Sequence, residues 1–201
     1  KTNGMIIARP IPSYVGETAP LANVGDMTNK GIEFELGYKW HVADAQFGIK
    51  GNATYLHNEL TNLGNSTGYI DLDSFQGISG GGTRGSNGLP FPYFFGYKTA
   101  GIFQNMADVK AYTNSKGGMI QPKAVPGDVR FVDVNGDGQI TSDDRTNIGN
   151  GTPDWTFGLK FDAAWKGFDF NIFIQGVSGA DVFDATYRSD IYSGNYPSWM
   201  L

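Results

Sequence analysis

Residues 133–144 read DVNGDGQITSDD. Side-chain oxygens stand at the first, third and fifth positions of this run, from Asp133, Asn135 and Asp137. Gly138 takes the sixth position, where a calcium loop turns sharply. The backbone carbonyl of Gln139 falls at the seventh and the Asp144 carboxylate at the twelfth. Ca²⁺ is a hard cation that prefers such oxygens, and one short stretch brings them together without distant residues. The spacing predicts a structural Ca²⁺ site on Asp133, Asn135, Asp137, Gln139 and Asp144. Asp in place of the usual final Glu reaches less easily in bidentate fashion, so the expected affinity is modest. No helix of EF-hand length flanks the loop, and the same composition also makes an Asn/Asp/Gly turn that needs no metal.

Other chemistry is sparse. The 2 histidines, His41 and His57, fall in an expected short turn and near a strand end. A Ser-His-Asp site needs a histidine beside an activated serine, and no Gly-x-Ser-x-Gly elbow is present. Asp71 and Asp73 are the imaginable carboxylate pair for glycoside hydrolysis, but they read as solubilising loop residues. Cysteine is absent, which removes disulfides, Cys-ligated zinc and a cysteine nucleophile. The glycine-rich run 79–88 lacks the Gly-Lys-Ser/Thr of a phosphate-cradling loop. Asn52-Ala53-Thr54 and Asn65-Ser66-Thr67 match glycosylation acceptors by chance if the source is bacterial. The expectation is not an enzyme. A net charge of −5 argues against a nucleic-acid partner.

The elements around the acidic loop are strands. Trp155, Phe157, Leu159, Phe161, Ala163 and Trp165 lie on one side of a period-two pattern, with Thr156, Gly158, Lys160, Asp162 and Ala164 on the other. At about 3.3 Å per residue and a tilt of about 40°, Trp155 and Trp165 stand about 25 Å apart along a membrane normal. That is the height of the lipid-facing band of an outer-membrane barrel, with an aromatic at each rim. A Lys166-Gly167 turn leads to Phe168, Phe170, Ile172 and Ile174 on one face and Asp169, Asn171 and Gln175 on the other. Phe173 breaks that rule. Upstream, Ile32, Phe34, Leu36, Tyr38 and Trp40 alternate with Glu33, Glu35 and Lys39, and Phe47–Tyr55 returns after a connection at 41–44. Pattern alone equally describes a soluble β-sandwich whose apolar face is its core.

The 201 residues hold 29 glycines and 14% aromatics with only 17% charged, as an all-β chain of large strand side chains and tight turns would. Residues 1–28, with Pro10, Pro12 and Pro20, predict an irregular opening with a strand end near Thr2–Ile7. Two hairpins follow, at 29–58 and 154–180. The intervening 59–153 is far longer than an ordinary loop and must be functional or a subdomain. Within it, Phe91–Phe103 suggests one short strand, and Asn105–Tyr112 a short helix capped by Asn105. Short turns at one end and long loops at the other are the asymmetry of outer-membrane barrels, which a sandwich has no reason to show. No apolar run is long enough for a membrane helix, and barrel strands do not need one. A start at Lys1 without Met and a stop at Leu201 predict a piece of a longer polypeptide.

Residues 126–179, PGDVRFVDVNGDGQITSDDRTNIGNGTPDWTFGLKFDAAWKGFDFNIFIQGVSG, resemble the late-barrel signature of SusC/RagA-type TonB-linked outer-membrane transporters of the Bacteroidetes. Residues 23–35 (NVGDMTNKGIEFE) and 96–103 (GYKTAGIF) resemble two further blocks of that family. The resemblance covers most of 20–180. It implies part of a 22-stranded antiparallel transmembrane β-barrel in the outer membrane, with a plug inside and a SusD-like lipoprotein lid. It implies import of glycan fragments (oligosaccharides) or peptides driven through TonB. The plug and the TonB-contacting box have no counterpart here, and no substrate-binding residue carries over by motif. The competing expectation is a secreted, calcium-stabilised β-sandwich that binds carbohydrate. A weaker third is a calcium-dependent surface hydrolase.

Overall fold

A computed structural model describes residues 1–8, 16, 20–65, 67–72 and 82–183. Asp73, Pro10, Pro12, Ser66 and the first residues of the glycine-rich run lie outside them. Among the described residues are eleven strands and one α-helix: β1 (Thr2–Ala8), β2 (Leu21–Val42), β3 (Ala45–Asn62), β4 (Tyr69–Asp71), β5 (Thr83–Ser86), β6 (Tyr93–Tyr97), β7 (Thr99–Ile102), α1 (Met106–Ala111), β8 (Val129–Phe131), β9 (Arg145–Asn150), β10 (Trp155–Trp165) and β11 (Phe168–Ser178).

The long strands form one 5-stranded sheet in the order β1-β2-β3-β10-β11. Every neighbour is antiparallel, and chain order equals sheet order. This is an open length of up-and-down meander. Its register explains the alternation. Directly paired residues share a face, so Phe34, Ala53, Phe157 and Gly176 make one row, and Leu36, Gly51, Leu159 and Ile174 the next. The rows Tyr38, Ile49, Phe161, Ile172 and Trp40, Phe47, Ala163, Phe170 follow. Between them, on the opposite face, lie Glu35, Asn52, Gly158 and Gln175, then Lys39, Gly48, Asp162 and Asn171.

Both tight turns sit at the same end. Trp165 pairs with Ala45, so Ala43-Asp44 and Lys166-Gly167 close the same edge of the sheet. Lys166 and Gly167 both have positive φ (47° and 86°), a geometry that matches the twist of a two-residue hairpin. All of the 63–154 excursion leaves from the other end.

Two boundaries differ from expectation. His41 is not in the turn: it pairs with Gln46 inside the ladder, and β2 continues to Val42. At the other end β2 begins at Leu21, within the stretch expected to be irregular, because Leu21–Met27 pairs with β1. LANVGDM has no clean alternation, so only the ladder reveals it. Beyond the apolar rows β2 and β3 rise together through Asn29, Lys30, His57 and Asn58, with Asn58 Nδ2 donating to Asn29 Oδ1 at 2.7 Å.

The excursion is a subdomain with the chain's core. It carries a 4-stranded sheet, β4-β5-β6-β9, and the pair β7-β8. The expected single strand at Phe91–Phe103 is two, β6 and β7. Leu60, Leu63, Tyr93, Phe103, Val109 and Ile120 are buried there. The subdomain is stitched to the top of β3: Leu60 N donates to Leu89 O (2.9 Å), Gly88 N to Leu60 O (2.8 Å) and Phe91 N to Asn58 Oδ1 (2.6 Å). The short helix is capped as expected, with Asp108 N donating to Asn105 Oδ1 at 2.9 Å. Among the described residues no helix is long and apolar enough to cross a membrane, which says nothing about strands.

Candidate functional site

The first functional feature is the wall itself. Trp155, Phe157 and Leu159 remain 47%, 48% and 44% exposed, and Phe168 76%. Phe34, Leu36 and Tyr38 are exposed beside them. A sandwich would seal this face beneath a second sheet; among the described residues none covers it. Its rings lie against one another along the surface, Tyr38 on Trp40 at 5.7 Å, Trp40 on Phe47 at 5.4 Å, and Tyr55 on Trp155 at 5.1 Å between centroids. Tyr55 and Trp155 mark one rim, and Trp165 the other, at the end with the tight turns. A contiguous apolar face of this size marks contact with another apolar phase. The opposite face is polar and carries charge, with Lys50 Nζ 3.1 Å from Glu35 Oε1 and Lys160 Nζ 2.8 Å from Asp162 Oδ1.

The second feature is the acidic loop, and here the geometry is more specific than the spacing. Asp133 accepts from Gly136 N and Gly138 N through its two oxygens, each at 2.7 Å. Asn135 Oδ1 accepts from Asp137 N and Asp137 Oδ1 from Gln139 N, both at 2.8 Å. Three successive side chains thus fold the loop back on itself. Asp144, 0% exposed, turns to the backbone: Oδ2 accepts from Thr141 N at 2.7 Å, and Oδ1 from Val134 N at 2.8 Å and Asn135 N at 3.4 Å. It closes a capping box with Thr141 at the 3-10 turn Ser142–Asp144. The Thr141 N–H holds the Asp144 carboxyl below the usual carboxylate range. The Val134 and Asn135 N–H groups and the Thr141 hydroxyl act in the same direction, and burial opposes them. Among the described residues no three His, Cys, Asp or Glu side chains converge as a metal-binding group. The hard-oxygen donors Asp133, Asn135, Asp137, the Gln139 carbonyl and Asp144 all lie in this one loop, and the side-chain oxygens of Asp133, Asn135, Asp137 and Asp144 already accept backbone N–H bonds.

Of the remaining candidates, Asp71 and His57 have charged partners, and Asp73 lies outside the described residues. Asp71 Oδ1 accepts from Arg84 Nε at 2.6 Å, and the Arg84 guanidinium lies over the rings of Phe95 (3.5 Å) and Tyr69 (4.1 Å). This is an anchored ion pair. His57 Nε2 lies 3.8 Å from Glu59 Oε2. Sequence reasoning did not find Arg84, whose role depends on three residues brought together by β4, β5 and β6.

These faces, this strand order and this sorting of turns define a length of β-barrel wall with a long, structured loop at one end. No family model matches the sequence. Curated relatives do. The chain is 31% identical over 195 residues to the TonB-dependent receptor P26 of Formosa agariphila, covering 96% of this chain and 19% of that one. It is 28% identical to the TonB-dependent receptor SusC of Bacteroides thetaiotaomicron, covering 87% and 16%. Among solved structures, the RagAB peptide transporter superposes with a TM-score of 0.63 at 23% identity, covering 88% of this chain and 18% of that one. RagAB in its open-open state gives 0.64 at 24%. These superpositions confirm the fold as part of a barrel. The chain belongs to the TonB-dependent receptors of the SusC/RagA type, and it spans about a fifth of the length of the curated relatives it matches.

Proposed function

We propose that this chain is wall and outer-loop structure of an outer-membrane transporter that imports oligosaccharides or peptides. The observation that carries the reading is the two-faced sheet: successive rows of the β2-β3-β10-β11 register alternate between an apolar face and a mostly polar one, with both tight turns at one rim. Lipid wets the apolar face and the polar face lines the lumen. The hairpins at 29–58 and 154–180 are wall, and 59–153 is extracellular. A SusD-like lipoprotein covers the outer opening, and TonB drives opening through a plug belonging to the whole receptor. The chain has no catalytic part.

The test uses the full-length receptor in its host. Heat-modifiable gel mobility reports barrel insertion, and uptake of labelled oligosaccharides and peptides reports transport. Insertion with uptake that disappears when TonB is deleted is the expected result. A receptor that is monomeric and soluble without detergent overturns it and favours the secreted sandwich.

Calcium is part of the same proposal. Its support is the donor chemistry of Asp133, Asn135, Asp137 and the Gln139 carbonyl in one loop. The ion would stiffen and neutralise that loop. Asp144 accepts one backbone N–H at Oδ2 and two at Oδ1, which leaves an Oδ2 lone pair for the ion. Isothermal titration with CaCl₂ after EDTA treatment tests it: binding lost in Asp133→Asn supports the site, and no heat of binding removes it.

A further inference from the structure

Phe173 is the aromatic that stands on the wrong side of its strand. It pairs with Lys160 and shares the polar face with Lys50, yet 61% of it is exposed. Two residues along β10, Gly158 leaves a dent in that face. A Cβ at Gly158 would stand 2.7 Å from Asn52 Oδ1 and 3.3 Å from Phe173 Cε2, so any larger residue would have to push those side chains aside and fill the dent. Asn52 and Gln175 are its two direct cross-strand neighbours. With Thr54 and Thr156 they line a cavity of ≈ 500 Å³ whose side is the Phe173 ring.

We propose that this cleft is a wall subsite for one ring of a neutral sugar. The inference rests on the lumen assignment above. An aromatic face accepts the apolar C–H face of a pyranose, while each carboxamide offers both a donor and an acceptor to paired hydroxyls. The nearest cations are already matched, Lys50 with Glu35 and Lys160 with Asp162, and Glu33 stands opposite Thr54, so an anionic ligand finds no free counter-ion there. An extended peptide is disfavoured for a different reason. The backbone of β10 at Gly158, the floor of the cleft, is laddered to β3 on one side and β11 on the other, so it offers no free edge to a peptide main chain; the nearest open edge of the described sheet is the far side of β11.

The experiment is saturation-transfer NMR on the full-length receptor in detergent, with maltopentaose, xylopentaose, mannopentaose and pentaalanine as probes. The expected result is transfer to the ring protons of at least one pentasaccharide. Binding weakens about tenfold in Phe173→Ala, weakens similarly in the Asn52→Ala/Gln175→Ala double variant, and is retained in Phe173→Trp. The subsite is overturned if no sugar is saturated, if Phe173→Ala leaves the signal unchanged, or if pentaalanine binds instead and responds to the same substitutions. Heat-modifiable mobility of the same preparations separates the two readings: intact insertion without a Phe173-dependent signal removes the subsite alone, and failed insertion removes the transporter.

Discussion

The lipid-facing assignment predicts that the cost of a buried charge depends on depth. Leu159 and Ile32 lie on the same face, in the rows Leu36-Gly51-Leu159-Ile174 and Ile32-Tyr55-Trp155. From the Trp155 rim, Leu159 is four positions down β10. At about 3.3 Å per residue and a tilt of about 40°, that places it about 10 Å below one rim and about 15 Å above the other, close to the bilayer centre. Arginine at the centre costs about 2–4 kcal/mol, and at the interface about 0–1 kcal/mol. Leu159→Arg should therefore shift the folding equilibrium by roughly thirtyfold to nearly a thousandfold, and Ile32→Arg by less than about fivefold. The assay is urea unfolding of the full-length receptor in phosphatidylcholine vesicles, followed by tryptophan fluorescence. Two results refute the reasoning. Equal, large costs would mean a sealed protein core, and two negligible costs would mean a surface in water. Lys160, one residue from Leu159 at nearly the same depth, already carries a charge on the opposite face, where water reaches it.

Three further outcomes follow from local geometry. Asn105→Ala removes the cap of α1 and should cost about 1 kcal/mol, read as faster amide exchange at Asp108. Asp144 has a lowered carboxyl pKa, so its stabilisation of the loop is fully present above the ordinary carboxylate value of about 3.9. It is lost as pH falls through the lower, folded value. Asp144→Asn should abolish that acid-range loss and leave Val134 and Thr141 N–H less protected at neutral pH; unchanged protection would show that the brace is dispensable. If calcium occupies the loop, an ion concentration about tenfold above its dissociation constant should add about 1.4 kcal/mol to loop stability. Asp133→Asn should erase that increment in thermal melts.

Much of the wall was legible because a strand's side chains alternate with period two, whatever surrounds it. The cap at Asn105 and the turn at Lys166-Gly167 were legible for the same local reason. The start of β2 was not. Leu21–Met27 has no alternation, and its strand exists only because β1 lies beside it. The 59–153 subdomain was visible as a length without a shape, since its core joins Leu60 to Tyr93, Phe103 and Ile120 across many intervening residues.

Sequence alone determined that one face of each long strand is apolar, and where the calcium-type oxygens fall along the loop. It left open what the apolar face meets, because alternation is identical for a sandwich core and a lipid wall. Tertiary structure set four strands in one register and, among the described residues, left their apolar rows uncovered, as a lipid wall requires. It also showed which backbone donors Asp144 accepts. Position twelve of a loop specifies a carboxylate's place along the chain, but only the folded backbone specifies which N–H groups reach it first.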